Sequence, residues 1–220
     1  MPKVLLFSIV VLILATLLIL TKNKPSPSDP QTSKTPPPTS NLNLAPSPQD
    51  PKTQTIIYPT SEFKQRITKK PFGVYVSPTN SPIQPERFSG YHTGVDVEFK
   101  DTQIKVPVFS VCDGELVLSQ WISGYGGTAV IRCQNNYYLY GHLNVDSITQ
   151  KIQISQGDQI AILGQGNTRQ TDYERKHLHF GIHKNSLNLK GYVQTQEELQ
   201  SWIDPLVLFN LSTPSNPKTN

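Results

Sequence analysis

The chain has 220 residues, enough for one domain with accessory segments rather than for two full cores. Hydrophobic residues make up 36% of it and there are 19 prolines. Ten of the prolines lie in the first quarter, so the remainder can still bury an ordinary core. A formal net charge of +4 is too small to indicate nucleic-acid binding. No Lys/Arg cluster alternates with aromatic residues as a strand-binding platform requires, so we expect no nucleic-acid partner.

The first predicted element is an apolar segment, residues 4–20, which carries no charge and follows Lys3. As a helix it would rise about 25 Å, the lower limit for spanning a bilayer. A cleavable signal peptide usually ends in small residues, whereas this segment continues directly into Thr21 and Lys22. We therefore expect residues 1–21 to form an uncleaved transmembrane signal anchor that ties the protein to the membrane.

Residues 22–55 have the composition of a linker. Nine prolines lie between Pro25 and Pro51, mixed with Ser, Thr, Asn and Gln. Such a segment cannot bury enough apolar surface to fold. We expect a disordered Pro-rich linker that, as an extended polyproline spacer, would reach about 100 Å.

The remainder of the chain predicts a mainly β domain over residues 56–211, followed by a flexible tail at 212–220. Residues 56–70 fit either an edge strand or a short helix. One late helix is predicted, because Thr195 and Glu198 form a capping box and Asp204-Pro205 would end it. Short runs rich in Val, Ile and Tyr, separated by turn residues, predict an antiparallel β-sandwich or open barrel. The predicted strands are residues 95–99, 106–111, 115–121, 128–133, 137–142, 160–163 and 178–183.

Cys112 and Cys133 lie on two predicted strands joined by a turn at Gly124. A hairpin would place them opposite each other, and in an oxidising compartment they would pair. Two small buried hydrophobic residues are an equally good interpretation. Without a Cys-x-x-Cys motif, neither is a good candidate for a metal ligand.

Four of the five histidines fall in three short segments, together with Asp96. His92 and Asp96 would lie about 13 Å apart on a straight strand, so the chain must fold back between them to share a metal. Gly94 is the residue at which it would do so at least cost. His142 follows an aromatic strand and by itself indicates little.

His177 and His179, two residues apart on a strand, point to the same face about 6.5–7 Å from each other. One metal ion with its bound water fits between or beside them, and the spacing does not decide whether one or both ligate. His183 continues the alternation, but about 13 Å from His179 it lies outside any shared site. We expect His183 to have a surface role.

Taken together, these segments resemble the lysostaphin-type (LytM-like) zinc metallopeptidases, which are peptidoglycan endopeptidases. The resemblance covers about residues 70–209 and is carried by an ordered set of motifs. They include His92-x-x-x-Asp96, Gly126-Gly-Thr-Ala-Val-Ile-Arg, Tyr140-Gly-His-Leu, Gln156-Gly-Asp, Gly166-Asn-Thr, His177-Leu-His-Phe and Ile203-Asp-Pro-Leu. The fold implied is the lysostaphin, duplicated-hybrid-motif-like domain.

The resemblance also implies the residue roles. His92, Asp96 and His179 would bind Zn²⁺, and His142 and His177 would be the catalytic pair that does not ligate. Bound zinc lowers the pKa of its water and polarises the scissile carbonyl. Since the chain lacks the His-Glu-x-x-His motif that supplies a glutamate base, histidines that titrate near neutrality would handle the proton and the oxyanion.

The chain departs from the family pattern at two places. The loop at residues 169–176 is charged and longer than usual, which leaves the substrate preference open. Gly181 stands where the family often has Glu, which removes one group that could support a ligand. Neither departure removes a ligand, so we expect an active enzyme.

The leading hypothesis is therefore a membrane-tethered zinc endopeptidase, outside the cytoplasm and facing the cell wall, that hydrolyses cross-links or stem peptides of peptidoglycan. The alternative is a non-catalytic LytM-like domain that binds the wall or activates a cell-wall amidase. A third hypothesis keeps the zinc but replaces wall peptides by proteins as the substrate.

Overall fold

The computed structural model of the protein describes residues 56–211. The predicted anchor at 1–21, the linker at 22–55 and the tail at 212–220 all lie outside this range. Between residues 56 and 211, no helix has the length and apolar character needed to cross a membrane.

The described part of the chain is mainly antiparallel β structure, as predicted, with two short α-helices and two 3-10 turns. The helices are α1 (Gln196–Leu199) and α2 (Pro205–Leu208), and the 3-10 turns are Val145–Ser147 and Arg169–Thr171. The strands in chain order are β1 (Tyr75–Val76), β2 (Gly90–His92), β3 (Gly94–Glu98), β4 (Pro107–Phe109), β5 (Gly114–Ile122), β6 (Gly126–Cys133), β7 (Asn136–Leu143), β8 (Gln153–Ile154), β9 (Gln159–Ile162), β10 (His177–Lys184), β11 (Tyr192–Val193) and β12 (Trp202–Ile203).

The strands form three sheets with open ends, so the domain is not a closed barrel. The largest has the order β12-β10-β7-β6-β5-β8, with β3 also paired to β10; β1, β2 and β11 form a second sheet, and β4 and β9 a third. Strand β10 is central: β7 lies along one edge, while β3 and then β12 lie along the other.

The core lies on one face of the large sheet because apolar and polar residues alternate along its strands. In β10, Leu178, Phe180 and Ile182 belong to the main hydrophobic cluster, together with Val95 and Val97 of β3. The intervening residues of both strands therefore face the opposite side. They include the two histidines and the aspartate singled out from the sequence.

The structure corrects the predicted elements where the chain is irregular. Residues 56–70 form turns, neither a strand nor a helix. The capping box of Thr195 and Glu198 is present, but helix α1 is only one turn long. Asp204-Pro205 does not end it: Asp204 is the N-cap of α2 and Pro205 lies in its first turn, where its missing N–H costs nothing.

Cys112 and Cys133 form a disulfide, with their Cα atoms 6.3 Å apart. Cys133 ends β6, and Cys112 lies two residues before β5, which is antiparallel to β6. The hairpin that the sequence predicted therefore brings the two cysteines together, and the bond closes the end away from the turn.

Candidate metal and catalytic site

Three ligand-type atoms from two sheets converge on one point. His92 Nε2 lies 3.0 Å from His179 Nδ1, and Asp96 Oδ1 lies 3.2 Å from each of them. Zinc at about 2.0–2.1 Å from each of three tetrahedral ligands would hold those atoms about 3.3 Å apart. The triangle is therefore the right size for one ion, and its donors are types that zinc prefers.

The chain folds back between His92 and Asp96 because it changes sheets there. His92 ends β2, Thr93 is a bend, and β3 then pairs with β10. Gly94 is required for this close crossing, since a Cβ at that position would lie 2.5 Å from Phe180 O and 2.9 Å from His179 Nε2. The bend replaces the about 13 Å separation of a straight strand by direct contact.

Hydrogen bonds and burial prepare these groups to bind a cation. His92 Nδ1 lies 3.2 Å from Pro71 O, which can only accept, so Nδ1 carries the proton and Nε2 keeps its lone pair. Burial lowers the pKa of His179, which favours the neutral imidazole that a metal needs. The residues present thus fit a zinc ion.

Asp96 is fixed by charge as well as by backbone. Its second oxygen, Oδ2, accepts a hydrogen bond from Arg175 Nη2 at 2.7 Å, leaving Oδ1 for the triangle. Burial alone would raise the pKa of Asp96, but its interactions with His177, His92 and Arg175 lower that pKa well below its usual value. Asp96 is therefore a buried carboxylate anion with one oxygen committed to Arg175.

A β-bulge brings His142 to the same side of the sheet. Two residues of β7, Gly141 and His142, lie opposite one residue of β6, Thr128. His142 has a φ of 63°, in the left-handed region that non-glycine residues rarely adopt. A bulge re-aims a side chain, and here the His142 ring centroid lies 4.1 Å from that of His177.

The two histidines outside the triangle are oriented alike. His142 Nδ1 lies 3.1 Å from Thr171 O, and His177 Nδ1 lies 2.9 Å from Arg175 O. Both Nδ1 atoms must donate, so each neutral ring has a free lone pair on Nε2. Burial lowers the pKa of His142 to about 3 and that of His177 well below its usual value. Both are neutral at pH 7.

These side chains share a cavity of about 320 Å³. The sequence-predicted residues Asp96, His142, His177 and His179 line it, whereas His92 is fully buried behind. The structure therefore brings together all five residues that the sequence singled out. The cavity is also lined by residues that the sequence did not predict for the site, namely Lys70, Phe88, Tyr125, Arg175 and Tyr192.

His183 departs from its expected role. It is 7% exposed, packs edge-on against Trp202 with ring centroids 4.7 Å apart, and bonds through Nδ1 to Ser186 O. It therefore supports the far end of β10 from the interior, not the surface. Its alternation with His179 did indicate the face, but the neighbouring β12 that covers it was not predicted.

Comparison with known proteins places this site in a family context. Residues 90–190 match the model of peptidase family M23. The catalytic domain of lysostaphin from Staphylococcus simulans is 22% identical, over 66% of this chain and 94% of that one, with a TM-score of 0.47. LytU is 23% identical, over 66% and 84%, with a TM-score of 0.46. The catalytic domain of a mutant of EnpA, a prophage-encoded M23 protein of Enterococcus faecalis, is 20% identical over 55% and 87%, with a TM-score of 0.38.

Proposed function

Because residues 90–190 match the model of peptidase family M23, we propose that this domain is a zinc-dependent endopeptidase that hydrolyses cross-links or stem peptides of bacterial cell-wall peptidoglycan. One observation carries the proposal: a three-atom triangle sized for a metal ion lies in the same cavity as two neutral histidines that are not part of it. Binding alone requires only the triangle. A hydrolase also needs groups that transfer protons, which the additional histidine pair would supply.

His92, Asp96 and His179 would hold the ion, through Nε2, Oδ1 and Nδ1 respectively. When bound, zinc polarises the scissile carbonyl and makes a water molecule more acidic. The remaining oxygen of Asp96 stays on Arg175, which keeps the carboxylate in one orientation. The Pro71 carbonyl does the same for the His92 ring.

His142 and His177 would divide the proton transfers. Each presents an unprotonated Nε2, because its Nδ1–H is held by a backbone carbonyl. A neutral imidazole accepts a proton from the attacking water and, as imidazolium, returns it to the leaving amine. The imidazolium form is stabilised transiently by the Asp96 carboxylate, whose Oδ2 lies 3.5 Å from His177 Nε2.

We further propose that the domain works outside the cytoplasm, tethered by the predicted anchor at residues 1–21 and the linker at 22–55. The disulfide between Cys112 and Cys133 supports this location, since such bonds persist in oxidising compartments. The predicted linker would let the domain reach wall peptides beyond the membrane surface.

The direct test is mass spectrometry of muropeptides after digestion of purified sacculi by the full-length protein in detergent. We expect new peptide ends with zinc present, and none after chelation or in the His179→Ala variant. A zinc-loaded protein that cleaves no stem or bridge peptide would overturn the enzyme proposal. Capture of a wall amidase by such an inactive protein would instead support a regulatory LytM-like domain.

A further inference from the structure

Tyr192 lines the cavity. It lies outside the region that matches the family model, which ends at residue 190. In the β2–β11 ladder Tyr192 is directly opposite His92. Directly opposed residues of an antiparallel pair project from the same face, with their Cβ atoms about 4.5–5.5 Å apart. The Tyr192 ring accordingly packs on the His92 ring, with centroids 5.2 Å apart.

The Tyr192 hydroxyl is held from one side only. Lys70 Nζ donates a hydrogen bond to the phenolic oxygen over 2.9 Å. Because an ammonium has no acceptor, the phenolic proton must point elsewhere. Among the described residues, Lys70 is the one hydrogen-bond partner of this hydroxyl, so its proton remains available to a molecule in the cavity.

The side chains that surround Tyr192 are themselves paired and packed. Lys70 is buried in an ion pair with Glu86, whose carboxylate also accepts a hydrogen bond from Ser81. On its other side the Tyr192 ring stacks on Phe88, with centroids 5.4 Å apart and planes 15° apart. Lys70, Glu86 and Phe88 all precede residue 90, outside the matched region.

From this geometry we propose that Tyr192 is a further catalytic residue of this chain. Its hydroxyl donates a hydrogen bond to the scissile carbonyl oxygen as that oxygen gains negative charge, and Lys70, paired with Glu86, is the positioning residue that orients the donor. The phenolic proton is shared but not transferred. A pre-oriented donor of this kind is effective because it needs no reorganisation during the reaction. The inference rests on the proposed endopeptidase function.

The test compares Tyr192→Phe with the parent and with Tyr75→Phe in full-length, zinc-loaded protein. Tyr75 lies in the same sheet but is 44% exposed, so its hydroxyl serves as the matched control. We expect kcat on a cross-linked muropeptide to fall about 100- to 1,000-fold in Tyr192→Phe, as for loss of one oxyanion donor. KM should stay within about threefold, because the interaction forms only in the transition state.

Two binding measurements separate this role from a structural one. Zinc affinity, measured by chelator competition, should be unchanged in Tyr192→Phe. The affinity for a phosphinate analogue of the cleaved peptide, whose tetrahedral oxygens resemble the transition state, should fall at least about tenfold. Unchanged kcat and unchanged phosphinate affinity in Tyr192→Phe would overturn the inference.

Lys70→Met tests the positioning role by additivity. In the parent it should lower kcat, and in the Tyr192→Phe background it should cost little more, because the two residues act as one unit. Fully additive losses in kcat would contradict the positioning role of Lys70. The role of Tyr192 would then be judged from Tyr192→Phe alone. If the parent protein itself cleaves no wall peptide, it is the proposed function that fails, which the parent assay reports before any variant is compared.

Discussion

At the residue scale, His142 combines a side chain with a proposed catalytic role and an unfavourable backbone conformation. Its φ of 63° places it in the left-handed region, which costs a non-glycine residue about 1–2 kcal/mol. Strained residues of this kind persist where the surrounding structure holds them, often at functional sites. The bulge that aims the imidazole at His177 is the reason for the strain here.

This strain predicts that two substitutions of His142 differ in stability but lose activity alike. His142→Gly should be more stable than His142→Ala by about 1 kcal/mol, because glycine adopts the left-handed conformation without a Cβ clash. If His142 carries protons as proposed, both variants should lose about 100- to 10,000-fold in kcat. Urea denaturation and muropeptide cleavage measure the two effects. Equal stability of the two variants would show that the backbone at residue 142 is not strained.

Gly94 gives a second prediction at this scale. In Gly94→Ala the new Cβ would lie 2.5 Å from Phe180 O and 2.9 Å from His179 Nε2, so β3 and β10 must separate. We expect a loss of about 1–3 kcal/mol in unfolding free energy and about tenfold weaker zinc binding. Gly181→Ala is the control, since its Cβ would lie 3.3 Å from the nearest atom, Thr93 O. In chelator competition, the zinc affinity of Gly94→Ala should be well below that of Gly181→Ala. The same zinc affinity for both variants would contradict the close-packing argument.

Some residues of the site could be predicted from sequence and others could not. The same-face placement of His177 and His179 follows from the two-residue period of a strand. The need for a bend between His92 and Asp96 follows from the same period. Tyr192 gives no comparable signal, because its position depends on a two-residue strand paired with β2 across a hundred intervening residues. His183 was misplaced because burial by Trp202 depends on an equally short strand.

At the element scale, the segment around residues 81–88 is joined to the domain by a buried ion pair. Lys70 and Glu86 have side chains that are each 3% exposed. Burial alone would raise the pKa of Glu86, but hydrogen bonds, first of all from Lys70, lower it below the usual 4.5. A carboxyl whose folded-state pKa is lowered adds stability above its unfolded-state pKa, and that stability is lost as the pH falls through the folded-state value.

The pH dependence of Glu86→Gln should reveal this contribution. At neutral pH the variant leaves the Lys70 charge buried and unpaired, which we expect to cost about 3–5 kcal/mol. The difference in unfolding free energy between the variant and the parent should have its full size above about pH 4.5 and become smaller as the pH falls further. Urea denaturation between neutral and acid pH measures it. Glu62→Gln, which removes a largely exposed partner of Arg66, should change stability by no more than about 0.5 kcal/mol at any pH. A pH-independent difference for Glu86→Gln would contradict the ion pair.

The elements that the sequence predicted well are those whose pattern is local. The longer strands follow from runs of Val, Ile and Tyr, and each of these predicted strands overlaps an observed one. The helix was extended too far because Asp204-Pro205 reads equally well as a stop and as a start. The difference is decided by packing, since Leu206 of α2 belongs to the core.

At the scale of the whole molecule, the triangle of ligand-type atoms is built from two sheets. His92 comes from the sheet of β1, β2 and β11, whereas Asp96 and His179 come from the large sheet. The local pattern of the sequence did not assign strands to these sheets, because that assignment depends on contacts between distant segments. The triangle is therefore a tertiary feature, and an ion bound there would resist separation of the sheets.

Binding of zinc should therefore raise the stability of the folded domain as a whole. A ligand specific for the folded state at 100 times its Kd adds about 2.7 kcal/mol, and removal of the ion leaves the three ligand atoms within 3.2 Å of each other without a shared cation. We expect the thermal unfolding temperature of the full-length protein to rise with added zinc and to fall on chelation. His179→Ala should lose this zinc-dependent shift, whereas His183→Ala, which alters a buried histidine outside the triangle, should lower the unfolding temperature but retain the shift. An unfolding temperature that is the same with zinc and with chelator would show that the triangle does not bind the ion that its geometry fits.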